Sequence, residues 1–503
     1  VLSALVATAL AAGQAIAPAT LAQVAPPPAR AAATASSSGL PELGDSAQAA
    51  LSPVQERKIG EAVLKQIRAS GGYLNDPEVN DYLNELGQRL VAARNDSRYD
   101  FTFFAVADPS INAFAMPGGY IGVNTGLILL TQTESELASV LAHEITHVTQ
   151  NHMARALENQ KNSLWMSLAA LAVAMVAARS NSSSSGDAVG AAIASAQALQ
   201  LQNQLNFTRE NEYEADRIGF QRLDAAGFDP AAMAALMERL QKASRFADGS
   251  TPTYLRTHPV TYERIAEAQG RAQGKGYRQV ADSLDFQMVR ALLRSYTGRP
   301  DEAVAWFDAA LAERKYNSEV AARYGLVASL LRDQQYARAR KELAALERIA
   351  PPHPMIEAIA AHVLMESGDA PAAVVRLEAA LARYPNKMQL VYDYPEALLK
   401  AGRAAQASAF AEAQLQRFPQ DGPLHEIAAK AYAAQGRNLK QHQHLGEYYA
   451  WVGNLRLAID QMELAIKAGD ANFYESSVVE ARLRALRREQ AELQKEGFGR
   501  STG

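Results

Sequence analysis

The chain has 503 residues, no cysteine and only three tryptophans. Without cysteine these residues can form no disulfide, offer no thiolate metal ligand and carry no acylation site for a lipoprotein anchor; the absence also suits an oxidising compartment. Any metal would have to be held by nitrogen and oxygen. An excess of one charge is missing too: the formal net charge is −4 and no long basic run occurs, so nucleic acid is not an expected partner. The apolar segment from Leu164 to Ala178, fifteen residues long, falls short of the roughly 20 that a helix needs to cross a hydrocarbon core.

The chain is long enough for more than one core, and 48% of its residues are hydrophobic. Residues 1–22, "VLSALVATALAAGQAIAPATLA", read as the remnant of a secretory signal with a cut after Ala22. Residues 23–50, rich in Pro, Ala and Ser, read as a disordered leader. From Leu51 to Arg94 the apolar spacing is helical. "YDFTFFAVAD" and "NAFAMPGGYIGVNTGLI" read as strands, with Pro117, Gly118 and Gly119 marking a turn or bulge. A single helix is expected from about Glu134 to Leu157, and another from about Phe207 to Ala226, stopped by Gly227. Between them, residues 164–201 read as an apolar hairpin that covers the site or rests on a membrane surface.

Beyond about Ser283 the texture is helix after helix. Gly368, Gly402 and Gly436 are each 34 residues apart, as are Pro351, Pro385 and Pro419, which is the period of the tetratricopeptide repeat. The glycines should lie in the turns between paired helices and the prolines should close the second helix. Such repeats contact mainly their neighbours and form an α-solenoid.

Chemistry concentrates in "LAHEITHVTQNH", Leu141 to His152. Residues four apart share a helix face, so His143 and His147 can aim two imidazoles at one ion, and Glu144 can reach a water held there as general base. The motif needs a third ligand. His152 is only five residues beyond His147, on another face of the expected helix, and reads as a capping or surface residue. Glu212 in "ENEYEADRIG" is the better candidate, sharing a face with Asp216, which could accept the other N–H of a ligand histidine. On spacing alone Glu210 and Glu214 compete with it.

"NAFAMPGG", "ELASVLAHEITHVTQNH", "ENEYEADRIG" and "THP" at Thr257 to Pro259, followed by the 34-residue repeats, resemble the periplasmic β-barrel assembly-enhancing proteases, gluzincin peptidases related to HtpX and the CAAX prenyl proteases. The resemblance covers nearly all of the chain from about Leu40. It implies a mostly α fold with a small β-sheet: an HExxH zinc metallopeptidase domain over 51–282, then a tetratricopeptide-repeat α-solenoid over 283–503. It implies one Zn2+ per chain on His143, His147 and Glu212, Glu144 as base, Asp216 orienting a ligand, and His258 as a fourth ligand that holds the site latent. It implies that the strand edge at Asn112, Ala113, Phe114 and Ala115 pairs with an extended substrate. Expected partners are unfolded or misassembled outer-membrane proteins, with the repeats recruiting them or their assembly machinery, in the periplasm, and with 164–201 either covering the site or making peripheral membrane contact. The other reading is an assembly chaperone or adaptor that works through its repeats, with a seldom active or inactive peptidase domain.

Overall fold

The computed structural model describes residues 52–94, 99–158, 209–246, 252–276, 278–470 and 472–495. The expected signal remnant, leader and apolar hairpin at 164–201 lie outside them. Among the described residues no helix is long and apolar enough to cross a membrane.

Two amphipathic helices open the chain, α1 (Pro53–Ala69) and α2 (Pro77–Ala92). Ser52 caps α1 in a capping box with Gln55, and Asp76 caps α2, each with a proline at the first helical position. Strands β1 (Thr102–Val106), β2 (Ala113–Met116) and β3 (Tyr120–Asn124) follow, with the single 3-10 turn Pro117–Gly119 between the last two. The sheet order is β1-β3-β2, with β1 parallel and β2 antiparallel to β3. Asn80 and Asn84 of α2 hydrogen-bond to the backbone of Phe103 and Ala105 along the outer side of β1. One edge is thus occupied by helix side chains, while β2 has no strand on its outer side among the described residues.

After α3 (Thr125–Leu130), helix α4 (Glu134–Thr149) runs through the middle of the molecule. All its residues from Glu134 to Val148 are buried, as befits a helix enclosed on every side. Burial of Leu137, Leu141 and Ile145 stabilises it by about 1.5–3 kcal/mol per side chain. The sequence predicts one helix to Leu157; instead Asn151 adopts φ 53° and α5 (His152–Glu158) starts in a new direction. Asparagine tolerates this left-handed conformation better than most residues. Helices α6 (Arg209–Ala225), α7 (Ala231–Phe246), α8 (Thr253–Thr257) and α9 (Tyr262–Gln273) complete this half.

The repeats are helix pairs: α10 (Leu284–Ser295) with α11 (Pro300–Ala312), α12 (Glu319–Arg332) with α13 (Tyr336–Glu347), α14 (Pro354–Glu366) with α15 (Ala370–Arg383), α16 (Met388–Lys400) with α17 (Ala404–Leu415), α18 (Gly422–Ala434) with α19 (Asn438–Val452), and α20 (Leu455–Lys467) with α21 (Phe473–Lys495). Gly368, Gly402 and Gly436 sit in the intra-pair turns at φ 84°, 73° and 68°, as their period implies.

The array also packs more broadly than a chain of neighbours would. One hydrophobic core runs from Val79 through Leu141 and Phe286 to Val363. At the N-terminus of α4, the Glu134 carboxylate accepts from the Ser283 amide and hydroxyl, and the Asp282 carboxylate accepts from the Glu134 amide. Helix α2 offers carboxylates to the repeats: Asp76 accepts from the Tyr296 hydroxyl at 2.6 Å, Glu78 from Tyr324, and Asp81 from the Met388 amide. The far end of the array returns to α1, where Arg68 lies over the Trp451 ring at 4.1 Å and Lys65 pairs with Glu489 at 2.9 Å.

Burial raises the Asp76 pKa above its ordinary value, and the hydrogen bonds from Tyr296 and the Val79 amide oppose the rise. Tyr296→Phe removes a donor to a buried carboxylate and should cost about 1–3 kcal/mol, seen as a lower melting temperature near pH 8. The hydroxyl favours the ionised form, so the deficit should shrink as pH falls through the folded-state pKa of Asp76. Equal melting of the two proteins at pH 8 would show that this contact does not fasten the repeats.

Candidate metal centre

Helix α6 crosses α4 very closely, and this brings the two motifs together. A Cβ built on Gly219 would lie 3.3 Å from the carbonyl carbon and oxygen of Ala142 and from the His143 nitrogen. Glycine therefore lets the two backbones meet almost directly. One and two turns earlier on α6, Asp216 and Glu212 then reach the histidines.

His143, His147, Glu212 and His258 are all buried, and one potential ligand atom from each lies within 4.8 Å of the others. The His143 and His147 Nε2 atoms are 3.0 Å apart. Glu212 Oε1 is 3.4 Å from His147 Nε2 and 3.0 Å from His258 Nδ1, and its Oε2 is 3.5 Å from His143 Nε2. Behind His143, its Nδ1 lies 3.0 Å from Asp216 Oδ1. Arg264 of α9 grips Asp216 with two nitrogens, at 2.6 and 2.8 Å, and pairs with Glu212 Oε2 at 2.8 Å. His258 follows α8, its ring 4.8 Å from that of Tyr254, and the Tyr254 amide donates to Ile111 O beside the sheet.

Glu144 is wholly buried, and neither of its carboxylate oxygens has a hydrogen-bond partner among the described residues. His258 Nε2 lies 3.6 Å from its Oε1. A buried carboxylate left in this way costs several kcal/mol unless something polar faces it.

The electrostatics fit a cation. Burial works to lower the His143 pKa, but Asp216 and Glu212 outweigh it and raise the value to about 10. Burial keeps His147 well below the ordinary histidine value. For Glu212 burial is outweighed by the three histidines, and for Asp216 by His143 and Arg264, so both carboxyls are held below their usual range. Among the described residues Glu144, Glu212 and Asp216 are buried carboxylates of this cluster and Arg264 is its buried guanidinium; with the histidines neutral, as metal ligands must be, a dication would balance that charge. Imidazole and carboxylate donors without sulfur suit zinc among the common divalent ions.

The competing acids separate cleanly. Glu210 is exposed, and Glu214 turns away to pair with His152 Nε2 at 3.1 Å and with Arg155 at 2.8 Å. The surface or capping role expected for His152 is overturned: the residue is 0% exposed, and its Nδ1 lies 2.8 Å from His147 Nδ1. The turn at Asn151 folds α5 back onto α4, which a continuous helix would not allow. Arg264 and Gly219 also escaped the sequence reading; Arg264 carries no spacing signal, whereas Gly219 closes the "EADRIG" stretch.

On the sheet side, Ala113, Phe114 and Ala115 lie in β2, and Asn112 precedes it with its carbonyl accepting from the Asn124 amide. Ala115 and Met116 line a recess together with Glu56, Tyr99 and His147. The end of β2 and His147 thus share one recess.

The chain is similar to known peptidases. Residues 77–272 match the model of peptidase family M48, and residues 364–437 match a tetratricopeptide-repeat model. The beta-barrel assembly-enhancing protease of Escherichia coli K12 is 32% identical over 94% of this chain and 95% of its own length. A relative from Vibrio cholerae is 38% identical over 62% of this chain, and the match spans 64% of that relative, just under two thirds. The mitochondrial metalloendopeptidase OMA1 of Schizosaccharomyces pombe is 28% identical over 42% of this chain and 60% of its own length.

Because Gly219 sets the spacing of α4 and α6, Gly219→Val should push them apart and lower the metal held per chain after dialysis against buffered zinc. Gly219→Ala asks a neighbour to give only a few tenths of an ångström and should retain most of it. A valine variant that holds as much metal as the wild type would show that the crossing tolerates a side chain.

Proposed function

The chain belongs to the β-barrel assembly-enhancing protease family and is a metallopeptidase, and on that premise we propose that it is a zinc endopeptidase of the periplasm that acts on misassembled or stalled outer-membrane proteins. The metallopeptidase domain occupies 51–282 and the repeat domain 283–503. His143, His147 and Glu212 hold one zinc ion, and Asp216, itself held by Arg264, fixes the orientation of His143. Zinc there would supply the Lewis acidity that makes water nucleophilic near neutral pH. Glu144 takes the proton of the attacking water and delivers it to the departing amine nitrogen. The outer edge of β2 pairs with an extended substrate backbone, entering from Asn112 and running along Ala113, Phe114 and Ala115. The repeats recruit the client or the assembly machinery.

The observation that carries this reading is Glu144. A wholly buried carboxylate without a hydrogen-bond partner among the described residues, set beside three imidazoles and a second carboxylate, has a use in a hydrolase and none in an adaptor. His258 supports latency. Its Nδ1 is 3.0 Å from Glu212 and 3.3 Å from His143, close enough for a fourth ligand, which would displace the catalytic water until the loop after α8 moves.

Glu144→Gln should keep about one zinc per chain and lose roughly a hundredfold or more in the rate of cutting an unfolded protein, as for removal of a general base. Unchanged turnover would end the enzyme reading. Glu212→Ala should instead lose the metal, because three protein ligands are the usual minimum of a catalytic zinc site; full occupancy in that variant would put the third ligand elsewhere. His258→Ala should cut faster than the wild type at matched zinc content, and a variant no faster would remove latency.

A further inference from the structure

His147 has a partner behind it that the proposed roles leave unused. Its Nδ1 faces His152 Nδ1 at 2.8 Å, with the ring centroids 4.8 Å apart and the planes at 79°. The other nitrogen of His152 lies 3.1 Å from Glu214 Oε2, and Arg155 holds the same oxygen at 2.8 Å. His152 is fully buried, while the Glu214 side chain is 26% exposed.

Two facing Nδ1 atoms can share only one hydrogen, so the direction of that bond fixes both tautomers. In one arrangement His147 Nδ1–H donates to His152, which leaves the His147 Nε2 lone pair for an ion; His152 must then carry its proton on Nε2, where it donates to Glu214. In the reverse arrangement the His147 proton moves to Nε2 and blocks coordination, and a bare His152 Nε2 lone pair faces a carboxylate. The second is repulsive. The carboxylate thus selects, through one intervening ring, the tautomer of His147 that can bind metal.

We propose that His152 and Glu214 are positioning residues of the metal centre, a relay that holds His147 in its metal-binding tautomer and orientation as Asp216 and Arg264 do for His143. The two relays differ in reach: Asp216 touches its histidine directly, whereas Glu214 acts through His152, and both carboxylates come from α6. Glu212, Glu214 and Asp216 therefore have three separate tasks: a ligand, an anchor for the His147 side and an anchor for the His143 side. The inference rests on the reading of His147 as a zinc ligand.

The test is zinc affinity of the full chain, measured by competition with a chelating dye, together with the melting temperature of the metal-free proteins. His152→Ala should weaken zinc binding by about 10–100-fold, as expected for loss of an orienting partner. His152→Asn places an amide oxygen where Nδ1 lay and should recover most of that loss, whereas His152→Gln puts its amide out at the Nε2 position and should not. Glu214→Gln, at a side chain 26% exposed, should weaken binding by less but in the same direction. Wild-type affinity in His152→Ala and Glu214→Gln overturns the relay. Equal losses in His152→Ala and His152→Asn that follow their metal-free melting temperatures overturn it in favour of packing. A wild type that takes up no zinc, or His147→Ala binding as tightly as the wild type, refutes the metal reading itself and the relay with it.

Discussion

With no side chain at Gly219, α6 settles against the α4 backbone at Ala142 and His143, and that contact places Glu212 and Asp216 beside the two histidines. Everything at the site is arranged around the electrostatic problem this creates. Burying carboxylates is unfavourable unless charge and hydrogen bonds compensate them. Arg264 neutralises part of the cluster through Asp216 and Glu212, and the rest suits a divalent ion. The motif residues are therefore only half of the centre. The other half is a crossing distance and a buried guanidinium.

The repeats are bound into the same construction. Glu134, which starts the helix carrying His143 and His147, is bonded to Ser283 at the head of the array. Asp76 and Glu78 of α2 accept from repeat tyrosines, and the end of the array meets α1 at Arg68 and Trp451. The core shared between the two regions buries apolar surface that neither could cover alone. A ligand that shifts the repeats would act on helices in direct contact with α4.

Much of this was legible in the sequence because it depends on local periodicity. The 3.6-residue spacing placed His143 and His147 on one face, and the 34-residue period of Gly368, Gly402 and Gly436 placed the turns of the array. The candidate third ligand was narrowed to one helix by the four-residue spacing of Glu212 and Asp216, but choosing among three acids required a tertiary contact. What stayed hidden was set by contacts distant in sequence. Arg264 lies 48 residues from its partner Asp216, with no pattern linking them. His152 was misjudged because a single residue, Asn151, leaves the helical region and redirects all that follows. The breadth of packing between the repeats and α2 was equally invisible, since tyrosine–carboxylate contacts have no period.

The central claim is that the α4–α6 crossing is a metal centre built from His143, His147 and Glu212. Anomalous diffraction at the zinc absorption edge, from crystals of the full chain grown with zinc, tests it most directly. The account predicts one strong peak about 2.0–2.2 Å from a nitrogen of each histidine and from an oxygen of Glu212. No peak at the crossing, or a peak held by other residues, would contradict it.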